Sequence, residues 1–293
     1  MSVFTTFYLF RKNLIIGIPP KSLLITIGTG KDLGGSRLSV VDSINYLSMK
    51  AMILAAGLGT RLKPFTNTTP KALVPILDKP VIEHVILKLK QQGFHEIIIN
   101  IHHFADQIVD FIKSKNYFNI RIEFSDEQEK LLDTGGAIKK ASWFFDTDEP
   151  ILIHNADIIS DVDVAKVYHN HIQSKAIATL VVNERETSRY LFFDNNNNLK
   201  GWINEKNGKT VSSSGYNSIE HRKLAFFGIH VLSGNAIPYM KSFPDKFSII
   251  DFYLSICDQH AVHAFLATEN YMVDVGKLES LDKAEEFLKS LRR

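Results

Sequence analysis

The sequence predicts an α/β fold, a doubly wound and mostly parallel mixed sheet that carries an antiparallel hairpin insertion. Two observations predict it. Short apolar runs alternate with amphipathic helical patterns from residue 49 to about residue 176, and strand-like segments then follow one another up to residue 232. Strands that alternate with helices favour parallel pairing through right-handed crossovers. Ligands of such sheets bind outside the carboxyl ends of the strands.

The first half of this pattern contains four strands and three helices. Continuous apolar runs that end in glycine or in polar residues indicate buried parallel strands. They predict strands at 51–56, 96–101, 121–125 and 150–157. Apolar residues at helical spacing predict helices at 80–92, 105–112 and 136–145.

The second half begins with strands that no helix separates. The apolar segments predict strands at 178–182, 190–194, 199–203 and 224–232. The run DNNNN at 194–198 has the composition of a turn, so it predicts a hairpin. Segment 204–221 is too polar for a core and predicts a surface loop. The end of the chain returns to helix, strand and helix, and no repeated hexapeptide predicts a C-terminal β-helix.

Composition excludes several classes of partner. The 34 basic and 32 acidic residues leave a formal charge of +2, so no global field favours nucleic acid or anionic lipid. No apolar run reaches the length of about 18 residues that a membrane helix needs. The single cysteine, Cys257, excludes an intrachain disulfide and fits a reducing cytoplasm. We therefore expect a cytoplasmic protein without a membrane partner.

Residues 1–48 are expected to be an N-terminal extension outside the functional domain, which we assign to residues 49–293. Met49 directly precedes the first regular strand pattern. The stretch GTGKDLGGS at 28–36 imitates a phosphate-binding P-loop, but Asp32 follows Lys31 and Ile25 stands where the first glycine is required. We interpret it as unrelated to nucleotide binding.

The stretch ILAAGLGTRLKPFTNTTPKALVP, residues 53–75, is typical of an anion site. Gly57 and Gly59 permit a sharp turn whose N–H groups can point at a ligand. Arg61 adds a planar donor fork suited to phosphate, and Lys71 adds a compact charge. The spacing differs from a Rossmann fingerprint, because Leu62 stands at the position of the third glycine.

This stretch resembles the signature of nucleotidyltransferases that join a nucleoside triphosphate to a sugar 1-phosphate and release pyrophosphate. Four further segments resemble the same family in order, at 131–141, 151–158, 203–206 and 271–281. The absence of a β-helix pattern makes the chain most similar to single-domain N-acetylmuramate 1-phosphate uridylyltransferases, with mannose 1-phosphate guanylyltransferases close behind.

The resemblance implies a Rossmann-like sheet of the GT-A type and an enzyme that uses Mg²⁺. It implies a nucleoside triphosphate and a sugar 1-phosphate as substrates, for cell-wall or surface polysaccharide precursors, and a monomer or homodimer. UTP with N-acetylmuramate 1-phosphate, or GTP with mannose 1-phosphate, is the favoured pair. The residues it implies are Arg61, Lys71 and Asp157 for catalysis, Asp157 and Asp274 for the metal, Glu205 and Lys206 for the sugar phosphate, and Ala55, Ala56, Gly57, Gly59, Thr60, Gly135 and Gly136 for the nucleotide.

The chain departs from the family at two positions. Ala156 replaces the usual glycine before the aspartate, and Lys277 replaces the usual threonine after Asp-Val-Gly. Two alternatives stay open. Asp161-Val162-Asp163 matches the D-x-D pattern of glycosyltransferases that consume nucleotide sugars, and a non-catalytic nucleotide-binding regulatory subunit is the second alternative.

Overall fold

The computed structural model describes residues 49–145, 149–217 and 219–291, which belong to one compact unit of the chain. The expectation that residues 1–48 are an extension, and the P-loop-like stretch within them, lie outside the described residues. Among the helices of the described part, none combines the length and the apolar character needed to cross a membrane.

Fourteen strands and six α-helices make up the described chain. The strands are β1 Met49–Leu54, β2 Pro75–Ile76, β3 Lys79–Pro80, β4 Phe94–Ile101, β5 Arg121–Asp126, β6 Ile151–Asn155, β7 Ile158–Ser160, β8 Ala178–Asn183, β9 Arg189–Phe193, β10 Leu199–Asn204, β11 Lys209–Ser212, β12 Arg222–Leu232, β13 Val262–Leu266 and β14 Met272–Asp274. The helices are α1 Val81–Gln91, α2 Ala105–Ser114, α3 Asp133–Lys140, α4 Val164–Ser174, α5 Ile249–Ile256 and α6 Glu279–Leu291.

Ten of the strands form one mixed sheet. Eight of them follow the order β11-β10-β9-β12-β6-β1-β4-β5, and β8 and β13 branch from β12. Strand β1 is central, because it pairs in parallel with both β4 and β6, and β5 extends the parallel part beyond β4. Strand β12 pairs antiparallel with β6, and it also contacts β8 and β9. Strand β13 lies parallel to β8. Strands β7 and β14 form a separate two-stranded ladder.

Helices cover both faces of the sheet, so the doubly wound prediction is confirmed. Alternate side chains of β1 enter different cores: Ala51 and Ile53 face one, and Met52 faces the other. The first core contains the apolar sides of α1, α2, α4 and α6, and the second contains those of α3 and α5. Because both faces are buried, the parallel strands are apolar at nearly every position.

The β9–β10 hairpin is confirmed, whereas the surface loop at 204–221 is partly wrong. Asp194 closes the hairpin turn by accepting the N–H groups of Asn196 and Asn198, at 2.9 and 2.8 Å. Strand β11, however, lies inside the expected loop and pairs antiparallel with β10. All four of its residues are exposed, so neither face carries the apolar alternation that identifies a strand in sequence.

Two histidines are fully buried on opposite faces of the sheet, His154 on β6 and His230 on β12. Burial lowers the pKa of His154 to about 4 and that of His230 to about 3. Both ring nitrogens of His230 lack a hydrogen-bond partner among the described residues. The unfolded chain protonates such rings near the ordinary pKa of about 6.5. It therefore binds more protons than the folded chain as pH falls from that value towards the folded pKa, and stability falls with it.

We predict that His230→Leu makes the protein less sensitive to acid. The substitution removes one group that charges only on unfolding, so the loss of unfolding free energy between about pH 6 and pH 4 should shrink by up to about 1.4 kcal/mol per pH unit. Urea unfolding followed by circular dichroism across this range measures it. The exposed His95→Gln variant is the control, since this ring is hydrated in both states. An equal acid loss in His230→Leu and the wild-type chain would contradict the prediction.

Candidate active site

Two predicted aspartates meet at the carboxyl end of β6. Asp157 lies in the link between β6 and β7, and Asp274 is the last residue of β14. The β7–β14 ladder sets Asp274 opposite Ile158, and the N–H of Val275 donates to the Asp157 carbonyl oxygen at 2.8 Å. Backbone hydrogen bonds thereby bring together two aspartates that lie more than one hundred residues apart in the chain.

Lys71 reaches the same place from the glycine-containing segment. Pro70 precedes a short 3-10 turn at Lys71–Leu73, and its carbonyl oxygen accepts the N–H of Leu73 at 2.8 Å. The Lys71 ammonium forms an ion pair with the Asp157 carboxylate. Their side chains are only 13% and 25% exposed, so water screens this pair less than a surface pair.

The charge around Asp274 is balanced by three cations. Partial loss of solvent in the cleft, together with the neighbouring Asp157 carboxylate, raises the pKa of Asp274 above its usual range. Lys71, Arg61 and Arg185 oppose that rise. Two carboxylates and three cations therefore influence one another around Asp274. Two carboxylates held close together suit a divalent cation.

Arg61 meets Asp274 over the backbone of Gly276. A Cβ atom at Gly276 would lie 2.6 Å from Asp274 Oδ1 and 2.8 Å from Arg61 Nη2. Only a glycine leaves room for both groups. Arg61 itself is exposed in the 3-10 turn Thr60–Leu62, so its guanidinium is accessible to a ligand.

The two glycines of the predicted anion turn differ in kind. Gly59 has a φ of 64°, and a Cβ there would lie 2.8 Å from Thr66 Cγ2 and 2.9 Å from Lys71 Cβ. Gly57 has no atom within 4 Å of its Cβ position. Gly59 is thus required by the path of the chain around Lys71, whereas Gly57 faces the open cleft.

Two adjoining cavities occupy the cleft. The first, the Asn100 cavity, has a volume of about 410 Å³, and the second, the Arg61 cavity, has about 340 Å³. The Asn100 cavity is lined by Leu54, Ala56, Gly57, Asn100, Glu127, Leu131, Asp133, Thr134, Asn155, Asp157 and Lys246. The Arg61 cavity is lined by Leu54, Ala55, Gly57, Leu58, Gly59, Thr60, Arg61, Lys71, Ala72, Leu131, Ala156, Asp157 and Gly276. Four residues are common to both, so the cleft has two compartments that meet at Asp157.

A buried polar pair, which the sequence did not reveal, supports the Asn100 cavity. Asn100 Oδ1 accepts the N–H of Ala55 at 2.7 Å, and its Nδ2 donates to Glu127 Oε1 at 2.8 Å. The other oxygen of Glu127 accepts the N–H of Leu132 at 3.1 Å. This chain of bonds links the end of β1 to the start of α3. Because every bond joins distant segments, no local pattern in the sequence indicates this pair.

Gly135 and Gly136 serve the packing of α3. Both N–H groups donate to the carbonyl oxygen of Phe247, at 2.9 and 3.3 Å. A Cβ at Gly135 would lie 2.3 Å from the Phe247 ring, and one at Gly136 would lie 2.0 Å from the Asp245 carbonyl oxygen. Neither glycine lines a cavity of the cleft, whereas their neighbours Asp133 and Thr134 do. A direct contact with a nucleotide stays a prediction.

Glu205 and Lys206 lie on the exposed turn after β10, outside both cavities of the cleft. Lys223 Nζ donates to Glu205 Oε1 at 2.7 Å, and the N–H of Glu205 donates to Ser188 O at 2.8 Å. The described contacts do not bring this pair to Asp157 or Asp274. Its role with a sugar phosphate stays a prediction.

Arg185 is the cation that sequence reasoning missed. It follows β8, and its Nη2 donates to the carbonyl oxygen of Phe226 at 3.0 Å. Burial lowers the pKa of its guanidinium, against the influence of Asp274 and Tyr190. No local pattern in the sequence marks it, because it reaches the site only through the pairing of β8 with β12.

The methyl group of Ala156 packs in the first core, and both aspartates of the D-x-D pattern form hydrogen bonds within the protein. The N–H of Ala156 donates to Leu54 O at 3.0 Å, and its methyl group is buried in the first core. Asp161 accepts the N–H of Tyr271 at 2.9 Å, and Asp163 caps α4 by accepting the N–H of Lys166 at 2.8 Å. These bonds account for both D-x-D aspartates as structural residues, which removes support for the glycosyltransferase alternative.

Comparison with known proteins gives a consistent result. The family model described as nucleotidyl transferase matches residues 50–290. A D-glycero-α-D-manno-heptose 1-phosphate guanylyltransferase of Aneurinibacillus thermoaerophilus is 30% identical over 244 residues, which cover 82% of this chain and 98% of that protein. An N-acetylmuramate α-1-phosphate uridylyltransferase of Neisseria meningitidis is 39% identical over 120 residues, which cover 41% of this chain and 52% of that protein.

Another relative is longer than this chain, and a solved structure has the same fold. A UTP–glucose-1-phosphate uridylyltransferase of Synechocystis sp. is 29% identical over 244 residues, which cover 78% of this chain but only 61% of that protein. The chain thus spans less than two thirds of that relative. The crystal structure of HddC from Yersinia pseudotuberculosis, complexed with GMP-PN, superimposes with a TM-score of 0.65 at 27% identity, covering 82% of this chain and 99% of that one.

We predict that Gly59→Ala destabilises the protein and that Gly57→Ala does not. An alanine at position 59 must adopt a positive φ and displace Thr66 or Lys71, at a cost of about 1–3 kcal/mol of unfolding free energy. The methyl group of Gly57→Ala enters open space, so its effect should stay within about 0.5 kcal/mol. Urea unfolding of both variants measures the difference. Equal stabilities would refute the distinct roles assigned to the two glycines.

Proposed function

The chain belongs to the nucleotidyl transferase family, and we propose that it joins a nucleoside triphosphate to a sugar 1-phosphate and releases pyrophosphate. One observation carries the proposal. Asp157 lines both open cavities, Arg61 and Lys71 line the Arg61 cavity beside it, and the Asp274 carboxylate lies next to Arg61 over Gly276. A site of this kind can hold two phosphate groups against each other, which their mutual repulsion otherwise opposes.

The two compartments of the cleft bind different parts of the nucleoside triphosphate. The Asn100 cavity accommodates the nucleoside, and the Arg61 cavity accommodates the triphosphate. Arg61 binds the β- and γ-phosphates and stabilises the leaving pyrophosphate, while Lys71 supplies charge to the nucleotide phosphates. Gly57 leaves the backbone accessible to phosphate oxygens.

The transfer is a single displacement. A phosphate oxygen of the sugar 1-phosphate attacks the α-phosphorus of the triphosphate, and the bond from the α-phosphorus to the bridging oxygen of the β-phosphate breaks. Pyrophosphate leaves with the electron pair of that bond. Positioning and charge suffice for such a step, so no covalent enzyme intermediate is needed.

Asp157 and Asp274 fit a magnesium ion. Hard carboxylate oxygens suit Mg²⁺, which is usually held by one or two carboxylates together with substrate phosphates. Residues 49–145, 149–217 and 219–291 contain no group of three or more acidic, histidine or cysteine side chains that could hold a metal ion. When bound, the ion would neutralise phosphate charge and orient the attack. Asp157 and Asp274 would hold the ion, and Lys71 forms an ion pair with the Asp157 carboxylate.

The favoured substrates are UTP or GTP with a sugar 1-phosphate used in surface polysaccharides. The names of the relatives from Neisseria meningitidis and Aneurinibacillus thermoaerophilus support this range, since one is a uridylyltransferase and the other a guanylyltransferase. A pyrophosphate-release assay that pairs each nucleoside triphosphate with glucose, mannose, heptose and N-acetylmuramate 1-phosphates tests the proposal. Release that requires both substrates supports it, and a folded protein that releases none with any pair overturns it.

We predict that Arg61→Ala reduces turnover strongly and leaves the fold intact. Removing one preorganised donor to a transition-state phosphate costs about 3 kcal/mol, or about 100-fold in kcat/KM. Pyrophosphate release and circular dichroism measure the two effects. Arg121→Ala is the matched control, because this arginine lies on β5, the far edge strand of the sheet, and pairs with Glu96. Unchanged turnover in Arg61→Ala would refute the assignment.

We also predict that Asp274→Asn weakens the response to magnesium more than nucleotide binding. The variant keeps the shape of the side chain but loses one of two anionic ligands, so the Mg²⁺ concentration for half-maximal rate should rise by about tenfold or more. Metal binding to the protein with a bound triphosphate, followed by calorimetry, gives a second readout. Wild-type magnesium affinity in the variant would exclude Asp274 as a ligand.

A further inference from the structure

Arg185 borders a third cavity, which lies beside the cleft. This Arg185 cavity has a volume of about 260 Å³ and is lined by Arg185, Thr187, Arg189, Leu191, Trp202, Phe226, Ser248, Ile250 and Asp251. Its lining combines aromatic surface with hydroxyl groups and a carboxylate. Such a mixture suits a single sugar ring, whose C–H face packs on aromatic carbon while its hydroxyls bond to polar side chains.

The guanidinium of Arg185 is incompletely paired. Its Nη2 donates to a neutral carbonyl oxygen, that of Phe226, and its buried Nε has no hydrogen-bond partner among the described residues. In the part of the chain that the structure describes, no carboxylate forms an ion pair with it within 4 Å. A cation held this way away from water gains more than a solvated one from an incoming anion.

The position of Arg185 identifies that anion. The same side chain lines the Arg185 cavity and donates to the carbonyl oxygen of Phe226, on the strand whose Gly228 packs against Asn155 in the lining of the Asn100 cavity. A group held by Arg185 is therefore placed between a cavity for one ring and the centre where the α-phosphate is attacked. The only ligand that has a ring on one side and an attacking phosphate on the other is the sugar 1-phosphate.

We propose that Arg185 binds the phosphate group of the sugar 1-phosphate and positions its oxygen for attack, while the sugar ring enters the Arg185 cavity. This inference rests on the proposed function. It assigns the anchor of the acceptor to Arg185, at a site separate from the exposed pair Glu205 and Lys206. Arg61 and Arg185 then act on opposite substrates, the triphosphate and the sugar phosphate.

Trp202 offers a readout that does not depend on turnover. The chain has two tryptophans, and Trp143 is 60% exposed. In a Trp143→Phe background, Trp202 is the sole indole and reports on the Arg185 cavity. We would titrate the four sugar 1-phosphates named above, and the corresponding free sugars, in the presence of Mg²⁺ and the α,β-methylene analogue of UTP or GTP.

Arg185→Met should raise the Kd and the KM for the sugar 1-phosphate by about 10- to 100-fold, because a hydrogen-bonded charge is lost. The KM for the nucleoside triphosphate and the Kd for the free sugar should change by less than about twofold, on the same scale of interaction energies. Arg185→Lys should recover part of the loss, since it restores the charge without the fork. Arg121→Met, which removes the same charge at the far edge of the sheet, should match the wild-type chain.

The outcomes separate the inference from the proposed function. A wild-type chain that turns over while Arg185→Met keeps its KM for the sugar phosphate overturns the inference alone. An equal rise in both KM values also overturns it, because a merely structural role of Arg185 would affect both substrates. If no triphosphate and sugar phosphate react, but Arg185→Met still loses the response of Trp202, the proposed function fails and the binding assignment stands. No response of Trp202 to any sugar phosphate refutes the assignment.

Discussion

The balance of charge around Asp157 and Asp274 is the constraint on which the rest of the site depends. Two carboxylates that repel each other are held together because the β7–β14 ladder and the bond from Val275 to Asp157 fix their backbones. Lys71 neutralises one of them directly, and Arg61 and Arg185 act on the other. The fold therefore holds two like charges close together and balances them with nearby cations.

The scaffold explains why these charges remain accessible. The cleft opens at the carboxyl ends of β1 and β6, where Leu54 and Asn155, the last residues of these strands, contribute to its lining. The buried Asn100 and Glu127 pair lines the Asn100 cavity and connects the end of β1 to the start of α3 through hydrogen bonds. The pairing of β12 with β8 shifts register between Phe226 and His230. At the start of this irregular stretch, the carbonyl oxygen of Phe226 accepts the hydrogen bond from Arg185.

Sequence reasoning succeeded where chemistry and period are local. The alternation of strands and helices predicted the sheet, and the spacing of Arg61 and Lys71 with the resemblance to a family led to the two aspartates that the fold brings together. It did less well where a role depends on distant partners. Asn100, Glu127 and Arg185 carry no local signal, and β11 is exposed on both faces. The nucleotide contact expected of Gly135 and Gly136 stays a prediction, while the close approach of the Phe247 ring to Gly135 and of the Asp245 carbonyl oxygen to Gly136 is a packing requirement that no local pattern showed. Secondary-structure propensity and hydrophobic periodicity do not show which distant segment packs against a given residue.

The most direct test of the account is the simultaneous measurement of pyrophosphate and nucleotide sugar produced by the wild-type chain and by Asp157→Asn. Asp157 is the residue at which both compartments of the cleft and the Lys71 ion pair meet. The account predicts equimolar products from the wild-type chain, only when both substrates are present, and a loss of about 100-fold or more in a folded Asp157→Asn variant. Products formed by Asp157→Asn at the wild-type rate would contradict it.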